Sequence, residues 1–225
     1  MKINILAFFC SLLLFLSCIS TENFDIPKIE KDILIKNSIS CLNESFNNYE
    51  VNSNQFNNLI NHVSKGGKLW TVQKFIANNG YLESSAYGIN KKMVHQLLIP
   101  IDFTKADAIS FLSKDGYYNG NPLKIYYTTQ FQIDQYRFNE VLDTSNSNIF
   151  TDITNNFAIS NGSTDGYAKK FINSGIYTFP KNNTAVTGFL IFEYSNMPIS
   201  GKEYITTTIQ IDDIIILDNE TLNCK

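Results

Sequence analysis

The chain has 225 residues, a formal net charge of −3 and a charged fraction of 17%. Aromatic residues make up 13%, with 17 Phe and 12 Tyr against one Trp, which is ample apolar material for one compact core. Arg137 is the one arginine and the lysines are scattered, which excludes the clustered basic footprint of a nucleic-acid binder.

The N-terminus, "MKINILAFFCSLLLFLSC", carries Lys2 and then an apolar run from Ile3 to Leu16. The run is short of the ~20 residues needed to span a bilayer and fits the apolar region of a secretory signal. Phe15-Leu16-Ser17-Cys18 resembles a bacterial lipoprotein box, cut before the cysteine, although Phe15 stands where an aliphatic residue is usual. The expectation is a signal peptide over 1–17, lipid on Cys18, and a tether and lead-in over 18–46. The protein would then be exported and anchored in the outer membrane, with exposure at the cell surface left open by the sequence. The alternative is ordinary cleavage nearby, with Cys18 a plain thiol. Cys41 and Cys224 remain. An even pair in an exported chain suggests a disulfide; two free thiols are the alternative. Neither has a neighbouring Cys or His at metal-ligand spacing, which argues against zinc.

From Tyr49 onward, short apolar stretches alternate with clusters of Asn, Gly, Ser and Asp, the pattern of an all-β sandwich or barrel. "NQFNNLINHVSKGG" (54–67) has Phe56, Leu59, Ile60 and Val63 at helical spacing, and reads equally as a half-buried loop. "KLWTVQKF" (68–75) alternates as a strand. "HQLLIPIDF" (95–103) is a strand that Pro100 places at a start, an edge or a bulge. "DAISFLSK" and "LKIYYTTQF" flank the loop "DGYYNGNP" (115–122), which reads as a hairpin connector because its Asp-Gly and Gly-Asn pairs are turn chemistry. "AVTGFLIFEYS" (185–195) is apolar on both alternations, as in a central strand covered on both faces. In "YITTTIQIDDIIIL" (204–217), Ile205, Ile209 and Ile211 share one face and Thr206, Thr208 and Gln210 the other. Strict alternation would bury Asp213, so either a bulge at Asp212-Asp213 turns the pair outward and keeps Ile214 and Ile216 inside, or one Asp binds a cation.

The stretches "LLIPIDF", "AISFLSKDGYYNGNPLKIYYTTQF", "INSGIYTF", "GFLIFEYS" and "TTTIQIDDIII", in that order, resemble the choice-of-anchor J and cleaved-adhesin-like jelly-roll domain of Bacteroidetes-type surface lipoproteins of unknown function. The resemblance covers roughly Tyr49 to Leu217. It implies a two-sheet antiparallel jelly-roll β-sandwich, galactose-binding-like, over 47–225, with adhesion or glycan capture rather than catalysis. It also implies a structural calcium between a first-strand acid, here Glu50, and the terminal-strand Asp212. The Asp-rich calcium loop of gingipain-type members is missing: that region reads "FNNLINHVSKGGKLW".

Glycan binding needs exposed rings for the apolar sugar face and amides or carboxylates for the hydroxyls. Tyr117, Tyr118, Asn119 and Asn121 offer both in one loop, with at least one tyrosine ring expected to be exposed. Trp70 is either a second platform or core. His62 and His95 stand in no nucleophile motif. Glu83, Glu193, Asp102 and Asp115 can be paired as glycosidase carboxylates only on paper. The expected partners are a membrane, through the lipid, and an extracellular glycan. An assembly role on an outer-membrane protein is the alternative, and a jelly-roll glycoside hydrolase or lyase the third reading.

Overall fold

The computed structural model describes residues 38–62, 68–76, 79–129, 143–181, 187–198 and 203–218. Twelve strands appear among them: β1 (Leu42–Glu44), β2 (Ile60–His62), β3 (Thr71–Lys74), β4 (Gly80–Ser84), β5 (Val94–Asp102), β6 (Ala106–Gly116), β7 (Leu123–Thr128), β8 (Thr151–Asp152), β9 (Ile172–Asn173), β10 (Tyr177–Thr178), β11 (Thr187–Ser195) and β12 (Thr208–Asp218). They form a seven-stranded sheet, ordered β10-β6-β12-β4-β3 with β1 on β12 and β9 on β6, and a five-stranded sheet ordered β2-β5-β11-β7-β8. All the strand pairings are antiparallel. This is the expected all-β sandwich. Cys18, expected to carry lipid, the expected signal region and Cys224 lie outside the described residues. Cys41 is disulfide-bonded.

The core forms where the inner faces meet. Ile209, Ile211, Leu82, Val72 and Phe111 from one sheet pack with Leu97, Ile99, Leu190 and Phe192 from the other. Trp70, just before β3, is fully buried with them. β11 lies between β5 and β7 and is covered on both sides. Its outer face joins a second cluster of Leu98, Tyr126, Phe150, Phe189 and Ile191. That is why its sequence is apolar on both alternations.

The parity break in β12 is real. Asp212 pairs with Leu112 and Ile215 with Ser110, so β12 spends one residue more than β6 between those points. Asp213 takes a φ of 44°. The bulge keeps Ile209, Ile211, Ile214 and Ile216 all inward and buried. Asp213 turns out to half-exposure, whereas Asp212 stays buried.

Pro100 sits inside β5 without breaking it. Its carbonyl accepts from Ile39 N–H at 3.0 Å, so the position of its missing N–H faces the same outer side and removes nothing from the β11 ladder. Ile39 bridges Ile101 and β1 pairs with β12, so the sandwich takes in part of the segment expected to be lead-in before residue 47. The region 54–62 forms no helix. Leu59 is buried and Ile60–His62 pair with β5.

Candidate functional site

The loop 117–122 is not a hairpin connector. β6 belongs to the seven-stranded sheet and β7 to the five-stranded one, so the loop crosses the end of the sandwich from sheet to sheet. Turn residues serve a corner as well as a hairpin, and the sequence alone does not separate the two.

Asp115 anchors this corner. Its side chain is fully buried and takes three bonds: Ser160 Oγ at 2.6 Å, Ser163 N–H at 2.8 Å and Ser163 Oγ at 3.2 Å. A buried carboxylate needs such donors. The backbone continues the seam, with Tyr117 N–H on Gly166 O, Tyr118 N–H on Ser163 O and Ala168 N–H on Asp115 O, each at 2.8–2.9 Å. The segment 160–168 is thereby fastened alongside the end of β6.

That seam places Tyr167. It bridges Gly116, and its ring lies against the glycine: a Cβ there would stand 2.5 Å from Tyr167 Cδ1. A side chain at 116 would lift the ring off the sheet. The Tyr167 hydroxyl meets the Thr208 side chain, and burial pushes its phenol up, the Glu83 carboxylate adding to the rise. Tyr117, at a φ of 51°, turns its ring edge-on to Tyr167 with centroids 5.4 Å apart. Both rings remain half-exposed, 54% for Tyr117 and 46% for Tyr167. They form a two-ring platform on the outer face of the seven-stranded sheet.

Beside the platform the outer face is polar. Thr208 Oγ1 bonds Ser85 Oγ at 3.0 Å. Gln210 Nε2 donates to Glu83 Oε2 at 2.8 Å. A groove of about 550 Å³ is lined by Asn54, Lys68, Leu69, Thr71, Gln73, Glu83 and Ser85. Burial also pushes the Tyr81 phenol up, again with Glu83 contributing, and its hydroxyl reaches the Gln210 side chain. Lys114 threads between rings, its Nζ 5.3 to 5.9 Å from the centroids of Phe75, Tyr167 and Phe171.

The expected site residues divide. Tyr117 is exposed as expected, and Tyr118 is half-buried. Asn119 is a clamp: Oδ1 accepts from Thr206 N–H at 2.8 Å and Thr207 N–H at 3.2 Å, and Nδ2 reaches Tyr204 O. Its amide is spent on holding 204–207. Asn121 Oδ1 accepts Leu123 N–H at 3.0 Å, closing the turn into β7. Trp70 is core and no platform, because the interior of the sandwich covers it completely.

The expected Glu50–Asp212 pair is not what the fold presents. Glu50 is exposed in the turn after β1. The carboxylates that act on Asp212 are Asp213 and Glu44, and burial is the larger cause of its rise to about 7. Among the described residues no three His, Cys, Asp or Glu side chains cluster as a metal site. The four carboxylates do not converge either. Glu83 is on the outer face of the seven-stranded sheet, Glu193 is bonded to Gln96 in the five-stranded one, Asp115 is held by serines and Asp102 by Thr104.

Tyr167, Glu83, Ser85, Thr208 and Gln210 did not stand out together in the sequence, since the platform unites positions some 50 residues apart across several strands. The usable signal was the polar outer face of the first half of β12, Thr208 and Gln210 opposite Ile209 and Ile211.

No family model and no curated protein matches the chain. Among solved structures it is similar to the K2 cleaved adhesin domain of Lys-gingipain, with 12% identity over 79% of this chain and 98% of that one, at a TM-score of 0.50. The K1 cleaved adhesin domain of Lys-gingipain from Porphyromonas gingivalis aligns at 16% identity over 80% and 99% of the two chains, with a TM-score of 0.46. The K3 cleaved adhesin domain from the same organism aligns at 13% identity over 78% and 97%, with a TM-score of 0.43. The K2 likeness bears on the fold alone: the chain has an adhesin-like β-sandwich fold.

Proposed function

We propose that the protein is an exported, lipid-anchored binding protein that holds an extracellular glycan on the outer face of its seven-stranded sheet, without catalysis. The observation that carries this reading is the Tyr117–Tyr167 pair. Two half-exposed rings with centroids 5.4 Å apart are fixed by a buried carboxylate and a glycine and lie beside a polar groove. Exposed rings held rigid at their backbone lose little entropy when a sugar face covers them, and so favour binding. The adhesin-like fold agrees with a binding role but does not set the ligand. The membrane location rests on the Ser17-Cys18 processing signal, since more than one acyl chain gives stable anchoring. Screening the full chain on a glycan array tests the reading. Binding that is lost in both Tyr117→Ala and Tyr167→Ala supports it. An empty array, with the protein instead co-purifying with an outer-membrane protein, refutes it in favour of an assembly role, and turnover of a bound polysaccharide refutes the absence of catalysis.

A further inference from the structure

The platform and the groove are joined by strand register. Gln210 pairs with both Glu83 and Lys114, and Glu83 pairs with Thr71. These four stand in one row across β6, β12, β4 and β3 on the outer face. Three inter-strand steps of about 4.8 Å make that row about 14 Å long. The neighbouring row begins at Tyr167, passes over Gly116 to Thr208, and reaches Ser85 in the groove wall through the Thr208 bond. Lys114, Thr208 and Gln210 are buried beneath this face, so a ligand crossing the strands meets the Tyr117 and Tyr167 rings at the β6 side and then Glu83, Ser85 and Thr71 of the groove wall at the β3 side.

The chemistry of this surface selects among ligands. Among the described residues the groove wall carries one carboxylate, Glu83, and one ammonium, Lys68, with uncharged side chains around them, so these residues give it no net charge to attract an ion. Lys114, on the same face of the sheet, is engaged by three rings. Next to Glu83, Gln210 is 3% exposed and its Oε1 has no hydrogen-bond partner, while its Nε2 is committed to Glu83. A buried acceptor without a donor costs about 1–3 kcal/mol. Gln210 Oε1 is closed off from any ligand, and it is the Glu83 carboxylate, in the groove wall, that calls for donors. Sugar hydroxyls supply them, and carboxylate or sulfate groups do not.

We infer that this surface takes a neutral, linear oligosaccharide lying across the strands, one sugar on the Tyr117–Tyr167 rings and a later one donating hydroxyls to Glu83. This rests on the glycan reading above. Gln210 is a positioning residue that orients the Glu83 carboxylate.

The test is affinity electrophoresis of the full chain through neutral polysaccharides (xylan, mannan, galactan, β-glucan) and acidic ones (polygalacturonate, hyaluronan), at low and high salt. Titration with mono- to hexasaccharides of the retaining polymer follows. The expected result is retention by a neutral polymer that does not change when salt shortens the Debye length from about 14 to about 4 Å. Affinity rises at least about tenfold from the monosaccharide to the longer oligomers, as successive contacts add about 1.4 kcal/mol or more. Glu83→Ala weakens binding at least about fivefold, and Glu83→Gln, which keeps the shape and one acceptor, falls between it and the parent. Retention by acidic polymers alone, weakening with salt, overturns the inference and leaves the glycan reading standing. Equal affinity for the monosaccharide and its oligomers, or full binding by Glu83→Ala, also overturns it. Retention by no polymer overturns both.

Discussion

Two buried ionisable groups pull the pH dependence of stability in opposite directions, and one substitution separates them. His95 lies between the sheets, 3.0 Å from Ser84 Oγ and edge-on to Tyr194; burial lowers its pKa from 6.5 to about 4. Asp212 lies in the β12 bulge, where burial raises its pKa from 3.8 to about 7. From about pH 4 to 6.5, the unfolded chain carries a protonated His95 and an ionised Asp212, and the folded chain carries the reverse. Folding moves one proton off and one on, so this pair contributes almost no slope. Taken separately, neutral His95 costs nothing above pH 6.5 and removes up to about 3 kcal/mol as pH falls to 4. Asp212 costs nothing below pH 3.8 and removes up to about 4 kcal/mol as pH rises through 7. Asp212→Asn deletes the second dependence and keeps an oxygen for the Asp213 N–H, which Asp212 Oδ1 accepts at 2.8 Å. The unfolding free energy of the variant minus that of the parent cancels every titrating group except those, Asp213 and Glu44, that act on Asp212. It should be near zero at pH 4, grow by about 1.4 kcal/mol per pH unit, and level off near 4 kcal/mol above pH 7. Urea unfolding followed by the fluorescence of Trp70, the single and fully buried tryptophan, measures it. A difference that stays constant from pH 4 to 8 refutes the reasoning.

Gly116→Ala should cost less than about 1 kcal/mol of stability, because only a half-exposed ring must move, yet displace Tyr167 and abolish glycan retention; thermal melts and affinity gels read the two separately. Asp115→Ala orphans the Ser163 N–H and the Ser160 hydroxyl; at about 1.5–3 kcal/mol per bond to a charged group it should lower stability by at least about 3 kcal/mol in urea titration. Cys18→Ser should move the protein from the membrane to the soluble fraction, and unchanged fractionation would exclude the lipid anchor.

The sandwich was legible because its strands obey simple patterns. β11 is apolar on both alternations, which places it centrally. β12 changes parity at Asp212-Asp213, and the buried positions Ile211 and Ile214 permit nothing but an extra residue between them. The site was less legible. Asn119 looks like a ligand amide in a Tyr-rich loop, and what consumes it is the 204–207 segment, some 85 residues later. Tyr167 sits in "NGSTDGYAKK", which reads as plain loop. Its role depends on register with Gly116, and on the serines that the buried Asp115 recruits from across the chain end. Local propensity carries neither. Trp70 was open between core and surface because a ring before a short strand suits both. The Asn61 side chain settles it, accepting Trp70 N–H at 3.2 Å and donating to Trp70 O at 2.7 Å, and thus turning the indole inward.

On the proposed function, the Tyr117–Tyr167 rings form a sugar platform. Calorimetric titration of the retaining oligosaccharide into the parent, Tyr167→Phe and Tyr167→Ala tests it most directly. Stacking needs the ring and not the hydroxyl, so Tyr167→Phe should bind within about threefold of the parent and Tyr167→Ala at least about tenfold more weakly. Equal affinities for the parent and Tyr167→Ala, with the variant folded by Trp70 fluorescence, would contradict the account.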